Sequence, residues 1–271
     1  MEKIVLPPNL SVISRSLFRD CISLSEVVFP TEVSDIEAFA FHHTGIKNIV
    51  LPDSINAIGE HAFCKSPIEY YSVENKGKPL SQDKNTYFSR NDVLYKNIAK
   101  GRWTSKDGYM ESYELVKYPQ AKKDKSYRVD EKTIWIDECA FKLAYNLESV
   151  ELHDKINHIA RQAFAYCESL KTMKMPQGLK YVPYCGFIGC KSLSEVFLTS
   201  VENIYSEAFS ECSNLRDIHL YCDDANIMTI GERVFEGVDF ETCNLHVPSG
   251  SRWSYRHHPV FGKFKNIIIE K

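Results

Sequence analysis

The chain has 271 residues, 44% of them hydrophobic and 25% charged, with a formal net charge of −3. This is an ordinary globular composition, and near-neutral charge gives no electrostatic reason to expect nucleic acid or an anionic membrane as partner. No run of about eighteen apolar residues occurs, which excludes a transmembrane helix, and the opening MEKIVLPPNL lacks the apolar core and cleavage site of a signal peptide.

In chain order, Ile4–Leu6 already reads as a strand with nothing upstream to cover it. That implies either a preceding portion or an edge open to pairing. A motif then begins to recur, an isoleucine or valine five residues before a phenylalanine. Ile13/Phe18, Ile36/Phe41 and Ile58/Phe63 come first. Ile136/Phe141, Ile159/Phe164, Val182/Phe187, Ile204/Phe209 and Ile230/Phe235 follow. Successive phenylalanines lie 22 or 23 residues apart, except for one interval of 78 and a last one of 26.

Each unit continues alike. Alanine precedes the phenylalanine in five units, as Ala40, Ala62, Ala140, Ala163 and Ala208. Three residues past the phenylalanine stand Cys21, Cys167, Cys190 and Cys212, with Thr44 and Ala144 in the same place elsewhere. A leucine comes three further on, as in Leu24, Leu147 and Leu170. An alternating pair such as Val27/Phe29, Ile49/Leu51 or Ile218/Leu220 then has the period of a short strand. Proline, which cannot donate to a ladder, often closes it, as at Pro30, Pro52 and Pro176. One short strand and one short helical or turn segment carrying the phenylalanine cannot bury an apolar side alone. Stacked units can, and the result is a solenoid with a parallel sheet along one face, its strands about 4.8 Å apart.

Residues 74–128 break the period. ENKGKPLSQDKN reads as a loop, Val93–Tyr95 as a strand, GRWTSKDG as a turn and Leu115–Tyr118 as the return strand. A β-hairpin-bearing insertion in a single solenoid over 1–271 is the expected organisation. N-terminal repeats occupy 1–73, C-terminal repeats 129–242 and a closing cap 243–271. The insertion carries 13 Lys/Arg against seven Asp/Glu, scattered and without a phosphate-cradling glycine run, so a solvated loop is the default reading over an anion site.

The pattern L-P-x-x-L-x-x-I-x-x-x-A-F-x-x-C-x-x-L-x-x-I runs through Leu6–Val27 and again through Ile159–Met173. It resembles the BspA-like leucine-rich-repeat family. SRNDVLYKN with ELVKYP is similar to the hairpin that interrupts such solenoids, and CNLHVPSGSRWSYRHHPVFGKFKNIIIE is similar to the family's closing segment. The resemblance implies an α/β-type repeat, a right-handed leucine-rich-repeat solenoid. It also implies a cell-surface or secreted protein whose partner is a host or neighbouring-cell protein or glycan, with adhesion as the usual activity. A structural spacer in a longer surface polypeptide is the alternative.

Motifs for chemistry are absent: no P-loop, G-x-G-x-x-G after a strand, G-x-S-x-G or H-E-x-x-H occurs. A non-catalytic protein without cofactor is expected. The four column cysteines read as buried, unreactive core. Cys185 and Cys190 lack the second pair that a zinc site needs. Cys64, Cys139, Cys222 and Cys243 lie outside the column, and a disulfide among them stays open. Between the inward-pointing pairs, the outward row reads Val28, Val50, Ser72, Glu151, Lys174, Phe197, His219, His246 and Ile268. Phe197, His219, His246, Glu195, Asp217 and Lys174 are therefore the candidate partner-binding residues, an exposed aromatic patch flanked by polar groups. An ordinary mixed surface, and a metal held by His219, His246 and Asp217, remain open beside that reading. Trp253, Tyr255, His257 and His258 read as packing of the closing cap.

Overall fold

The structure, a computed structural model, describes residues 2–74, 86–98, 104–105, 108–109 and 111–270. Residues 75–85 of the loop expected at 74–85 and much of the turn expected at 101–108 fall outside them. The chain forms two compact units, residues 1–123 with 132–144, and residues 124–131 with 145–271.

Parallel strands dominate both units. In the second, Ser126–Arg128, Ser149–Glu151, Thr172–Lys174, Glu195–Leu198, Asp217–Leu220, Asn244–Pro248 and Asn266–Glu270 form one seven-stranded sheet in that order, parallel throughout. In the first, Lys3–Val5 pairs with Glu26–Val28, and Asn48–Leu51 with Tyr70–Val73. A second row of two-residue strands carries the motif isoleucines. Val12–Ile13, Asp35–Ile36 and Ala57–Ile58 form one such row, and Tyr181–Val182, Asn203–Ile204 and Thr229–Ile230 another. This is a solenoid of stacked coils.

Among the described residues the coils hold no α-helix, only a three-residue 3-10 turn at Ala225–Ile227. Among the described residues the α-helix is confined to Arg252–His257 in the closing segment. The expected α/β-type repeat therefore gives way to an all-strand-and-turn coil, for a backbone reason. In every one of the eight repeats, the residues two before and two after the phenylalanine have positive φ. In the first unit these are Ser16, Asp20, Phe39, His43, His61, Lys65, Cys139 and Leu143; in the second, Gln162, Tyr166, Cys185, Gly189, Glu207, Glu211, Arg233 and Gly237. An α-helix needs φ near −63°, so a left-handed residue on each side confines the segment to two tight turns.

Between those turns the phenylalanine points inward and stacks on its counterpart one coil away. Phe18, Phe41 and Phe63 lie 5.1 and 5.6 Å apart, centroid to centroid, in the first unit. In the second, Phe164, Phe187, Phe209 and Phe235 are separated by 5.3, 5.4 and 5.8 Å, with planes within 6° of parallel. The backbone reinforces the stack, for Phe41 N donates to Ala62 O at 2.8 Å and Phe187 N to Ala208 O at 2.9 Å.

The column three residues past the phenylalanine has a polar task as well as a packing one. Cys190 Sγ donates to Phe164 O at 3.2 Å and Cys212 Sγ to Phe187 O at 3.1 Å, each in the preceding coil. Ser66 Oγ makes the same bond to Phe41 O at 2.9 Å. Cys167, Cys190 and Cys212 are fully buried, but Cys21 is exposed, contrary to the expectation of a buried column. All nine cysteines, Cys64, Cys139, Cys222 and Cys243 included, are free thiols. Burial pushes Cys139, Cys212 and Cys243 up to about 12.

Within 74–128, Thr86–Arg90 pairs antiparallel with Val93–Asn97, which pairs antiparallel in turn with Tyr113–Lys117. That third strand is also part of a coil. It runs parallel to Thr133–Ile136, with Leu115 opposite Ile136. Tyr118 then stands where a phenylalanine would, stacked on Phe141 at 5.3 Å with its N–H donating to Ala140 O at 2.8 Å. The broken period thus hides a coil whose inward ring is tyrosine.

Candidate binding surface

Strand alternation sends positions 196 and 198 inward and 195 and 197 outward, and parallel pairing repeats that choice on each neighbour. On the outer face of the seven-stranded sheet, Thr172, Glu195, Asp217 and Asn244 stand in one row. Lys174, Phe197, His219, His246 and Ile268 stand in the next. The six predicted residues are brought together on this face in the expected register.

They do not form the exposed aromatic patch that was expected. His219 is only 9% exposed, because its ring is sandwiched between Phe197 at 4.3 Å and His246 at 4.2 Å, tilted 11° and 18° from them. Phe197 and His246 are themselves half-buried, and Lys174 is exposed. In-register rings on neighbouring strands have one another as closest partners, so they cover each other.

Carboxylates hold the two imidazoles edge-on. His219 Nε2 lies 3.2 Å from Glu195 Oε1, and its Nδ1 lies 2.8 Å from Glu270 Oε1. His246 Nε2 lies 2.9 Å from Asp217 Oδ1, and its Nδ1 lies 3.4 Å from that same Glu270 oxygen. Asn244 Nδ2 also donates to Asp217 Oδ1 at 2.9 Å. Partial burial opposes charge on Asp217, but the Asn244 amide and the His246 ring outweigh it and hold the carboxyl below its ordinary value. The alternative trio of His219, His246 and Asp217 is not the one brought together: the group with converging ligand atoms is His219, His246 and Glu270.

Two residues of this face escaped sequence reasoning, Glu270 and Tyr221. Both lie two positions beyond named members of the outward row, Ile268 and His219, so carrying the period of two one step further finds them. Tyr221 is exposed, and burial followed by the nearby Glu270 carboxylate raises its phenol. With Lys174, Gln177, Phe197, Thr199, Thr172 and Met173 it lines an open depression of about 530 Å³. In the closing cap, Tyr255 is buried and donates from its hydroxyl to Cys222 O at 2.9 Å, which is packing. Trp253 is 69% exposed, against the same expectation, and stacks on His257 at 4.4 Å.

A second group of potential ligand atoms, His61, Glu138 and Cys139, lies in the first unit. Burial holds His61 down to about 4 and pushes the Cys139 thiol up, so its thiolate is disfavoured.

No helix among the described residues is long and apolar enough to cross a membrane. No curated protein matches the sequence. Among solved structures, the chain is similar to a leucine-rich cell surface protein from Faecalibacterium prausnitzii A2-165. The TM-score is 0.76 at 24% identity, over 94% of this chain and 62% of that one. It therefore spans less than two thirds of the length of that protein. It is similar also to the pneumococcal vaccine antigen PcpA, with a TM-score of 0.64 at 20% identity over 100% of this chain and 68% of the antigen. A leucine-rich repeat protein from Eubacterium ventriosum ATCC 27560 gives 0.61 at 18% identity over 88% and 77% of the two chains. These identities carry the fold alone. The sequence itself matches six copies of the BspA-type leucine-rich repeat region over residues 1–99 and 134–251. With its eight phenylalanine-centred coils, the chain belongs to the BspA-type leucine-rich-repeat family.

Proposed function

We propose that this protein is a non-catalytic interaction module of a cell-surface or secreted polypeptide. Its contact surface is the outer face of the seven-stranded sheet, and its partner is a protein or glycan on a host or neighbouring cell. The observation that carries this reading is the depression beside Phe197 and Tyr221, with Lys174, Gln177 and Thr199 supplying polar groups around two aromatic rings. Aromatic rings beside a few polar groups on a rigid sheet offer contact area at low entropic cost. The setting of the structural neighbours, a cell surface protein and a vaccine antigen, agrees with an outward-facing role.

The test is capture of the purified chain on arrays of immobilised glycans and matrix proteins, comparing wild type with Phe197→Ala/Tyr221→Ala and with Lys174→Glu. Capture should fall at least about tenfold in the double variant, the scale of losing a central anchor, while melting temperature stays within a few degrees. Capture equal to wild type in both variants would remove the site from this face and favour a spacer role for it.

A further inference from the structure

The two stacked histidines pose a question of charge. A neutral imidazole carries one N–H, so it can donate to one acceptor only. Both nitrogens of His219 face carboxylate oxygens, and so do both nitrogens of His246. If each ring gives its proton to the carboxylate at Nε2, each Nδ1 lone pair is left facing Glu270 Oε1. Two lone pairs and a carboxylate then converge with nothing positive between them. A single metal ion placed between them would supply that positive charge to both rings and to the carboxylate at once.

We infer that His219 Nδ1, His246 Nδ1 and Glu270 form a binding site for a transition-metal dication of the Zn²⁺ class on the outer face of the sheet. One ligand atom from each of the three residues lies within 4.8 Å of those of the other two. Bonds of about 2.0–2.2 Å in a tetrahedral shell place ligand atoms about 3.3–3.6 Å apart. His246 Nδ1 and Glu270 Oε1 already stand at 3.4 Å, and the His219 contact at 2.8 Å has to open by about half an ångström. The rings, 18° from parallel, must also rotate so that their lone pairs meet on one ion.

The strongest support is the outer shell. Ligating histidines donate their second N–H to a carboxylate, which fixes the tautomer and strengthens the ligand. Glu195 and Asp217 stand at the Nε2 atoms of His219 and His246, placed to accept that N–H, and Asn244 anchors Asp217. Two imidazoles with one carboxylate is a ligand set suited to zinc, and leaves a fourth position for water or a group from a partner. The inference does not depend on the contact-surface reading, since an ion can bind here whether or not a macromolecule does.

The experiment is calorimetric titration of ZnCl₂ into the full chain under reducing conditions. Wild type is compared with Glu270→Gln, His246→Ala and Asp217→Asn, and with His61→Ala as a control for the other candidate group. One equivalent should bind at micromolar concentration or tighter. Glu270→Gln and His246→Ala should each remove that equivalent or weaken it at least tenfold, and Asp217→Asn should weaken it about 10- to 100-fold. His61→Ala should leave it unchanged. Glu270→Gln preserves side-chain shape, so its melting temperature in EDTA shows whether the fold is intact. Zinc affinity and stoichiometry identical to wild type in both Glu270→Gln and His246→Ala would overturn the site. So would the absence of a micromolar equivalent in wild type, which would leave the cluster to protons alone.

Discussion

The two compact units repeat one coil and wear different surfaces. In the first unit one outward row of the paired strands is mostly aliphatic, with Val5, Val28 and Val50 66%, 39% and 41% exposed and Ser72 opposite Val50, while the other row carries Lys3, Glu26, Asn48 and Tyr70. In the second the equivalent positions are Lys174, Phe197, His219 and His246. Inward positions hardly vary, because each must fit the same inward position of the next coil. Outward positions answer only to their neighbours in the row. The ladder decides whether a row can act as a unit. The first unit pairs these strands two by two, whereas the second runs seven in unbroken register. Side chains there recur at the strand spacing, close enough for rings to stack.

The largest expected effect tests the shared interior. Phe187 stacks on Phe164 and Phe209 and is fully buried. Its replacement by alanine should cost about 3–5 kcal/mol. Phe18, half-buried and stacked on Phe41, should cost less than half as much on the same change. Denaturant unfolding of the two variants measures the difference. Equal losses would mean that full burial and a second stacking partner add nothing at Phe187.

The next effect separates the units by the chemistry of one column. Ser66→Ala removes one of the two donors to Phe41 O, which keeps the Thr44 hydroxyl, and leaves the buried Thr44 N–H without its acceptor, so it should cost about 1–2 kcal/mol. Cys212→Ala removes a weaker S–H donor from Phe187 O and should cost less through this bond. A Cys212→Ser variant, which restores a hydroxyl donor as at Ser66, should unfold closer to wild type than the alanine variant does.

A third difference is pH dependence. In the first unit, burial and the nearby Asp137 carboxylate raise Glu114 from 4.5 to about 7, against the opposing pull of Lys96 and Lys117. The folded state thus holds a proton that the unfolded state has released. This contribution to stability is present below about pH 4.5 and is lost as pH rises through about 7. Glu114→Gln imitates the protonated acid. Its melting temperature relative to wild type should therefore be higher at pH 8 than at pH 5, and a gap that does not change with pH would show that Glu114 ionises normally. In the second unit Asp217 is shifted the other way, by the partners that flank it.

Most of the architecture was legible in the sequence, because a stacked coil forces repetition. The eight phenylalanines, the inward pairs and the outward register of Lys174, Phe197, His219 and His246 all follow from counting by 22 or 23 and by two. What escaped counting depends on contacts across coils. His219 reads as an outward residue, and only its two ring neighbours cover it. Glu270 lies 51 residues from His219 and reaches it through the last strand pairing. Tyr118 lies the regular 23 residues before Phe141, but a tyrosine in place of the phenylalanine and Tyr113 in place of the isoleucine take it outside the motif. Cys21 sits in the cysteine column yet remains exposed, since a column position is buried only where coils cover it.

The turns were the least legible feature, and they carry the smallest and most discriminating prediction. Positive φ is ordinarily signalled by glycine or asparagine. Here two of the sixteen flanking positions are glycine, Gly189 and Gly237, both in the second unit; in the first all eight are other residues, Lys65 among them. Burial of the phenylalanine between the turns holds these residues in a conformation they would not choose. Lys65 is exposed at φ 63°, so its side chain contributes little to packing. Lys65→Gly should relieve local strain while raising the entropy of the unfolded chain, two terms of about 1 kcal/mol that nearly cancel. Lys65→Val puts a β-branched residue into the same region and should cost about 1–2 kcal/mol. If valine were as harmless as glycine, strain would not be what fixes these turns, and the bracketed phenylalanine alone would have to account for the absence of helix. At Gly189 even alanine should fail, because its Cβ would meet the Tyr166 ring at 2.4 Å. There the Tyr166 side chain of the preceding coil occupies the space a Cβ would need, whereas at Lys65 the conformation is the whole constraint.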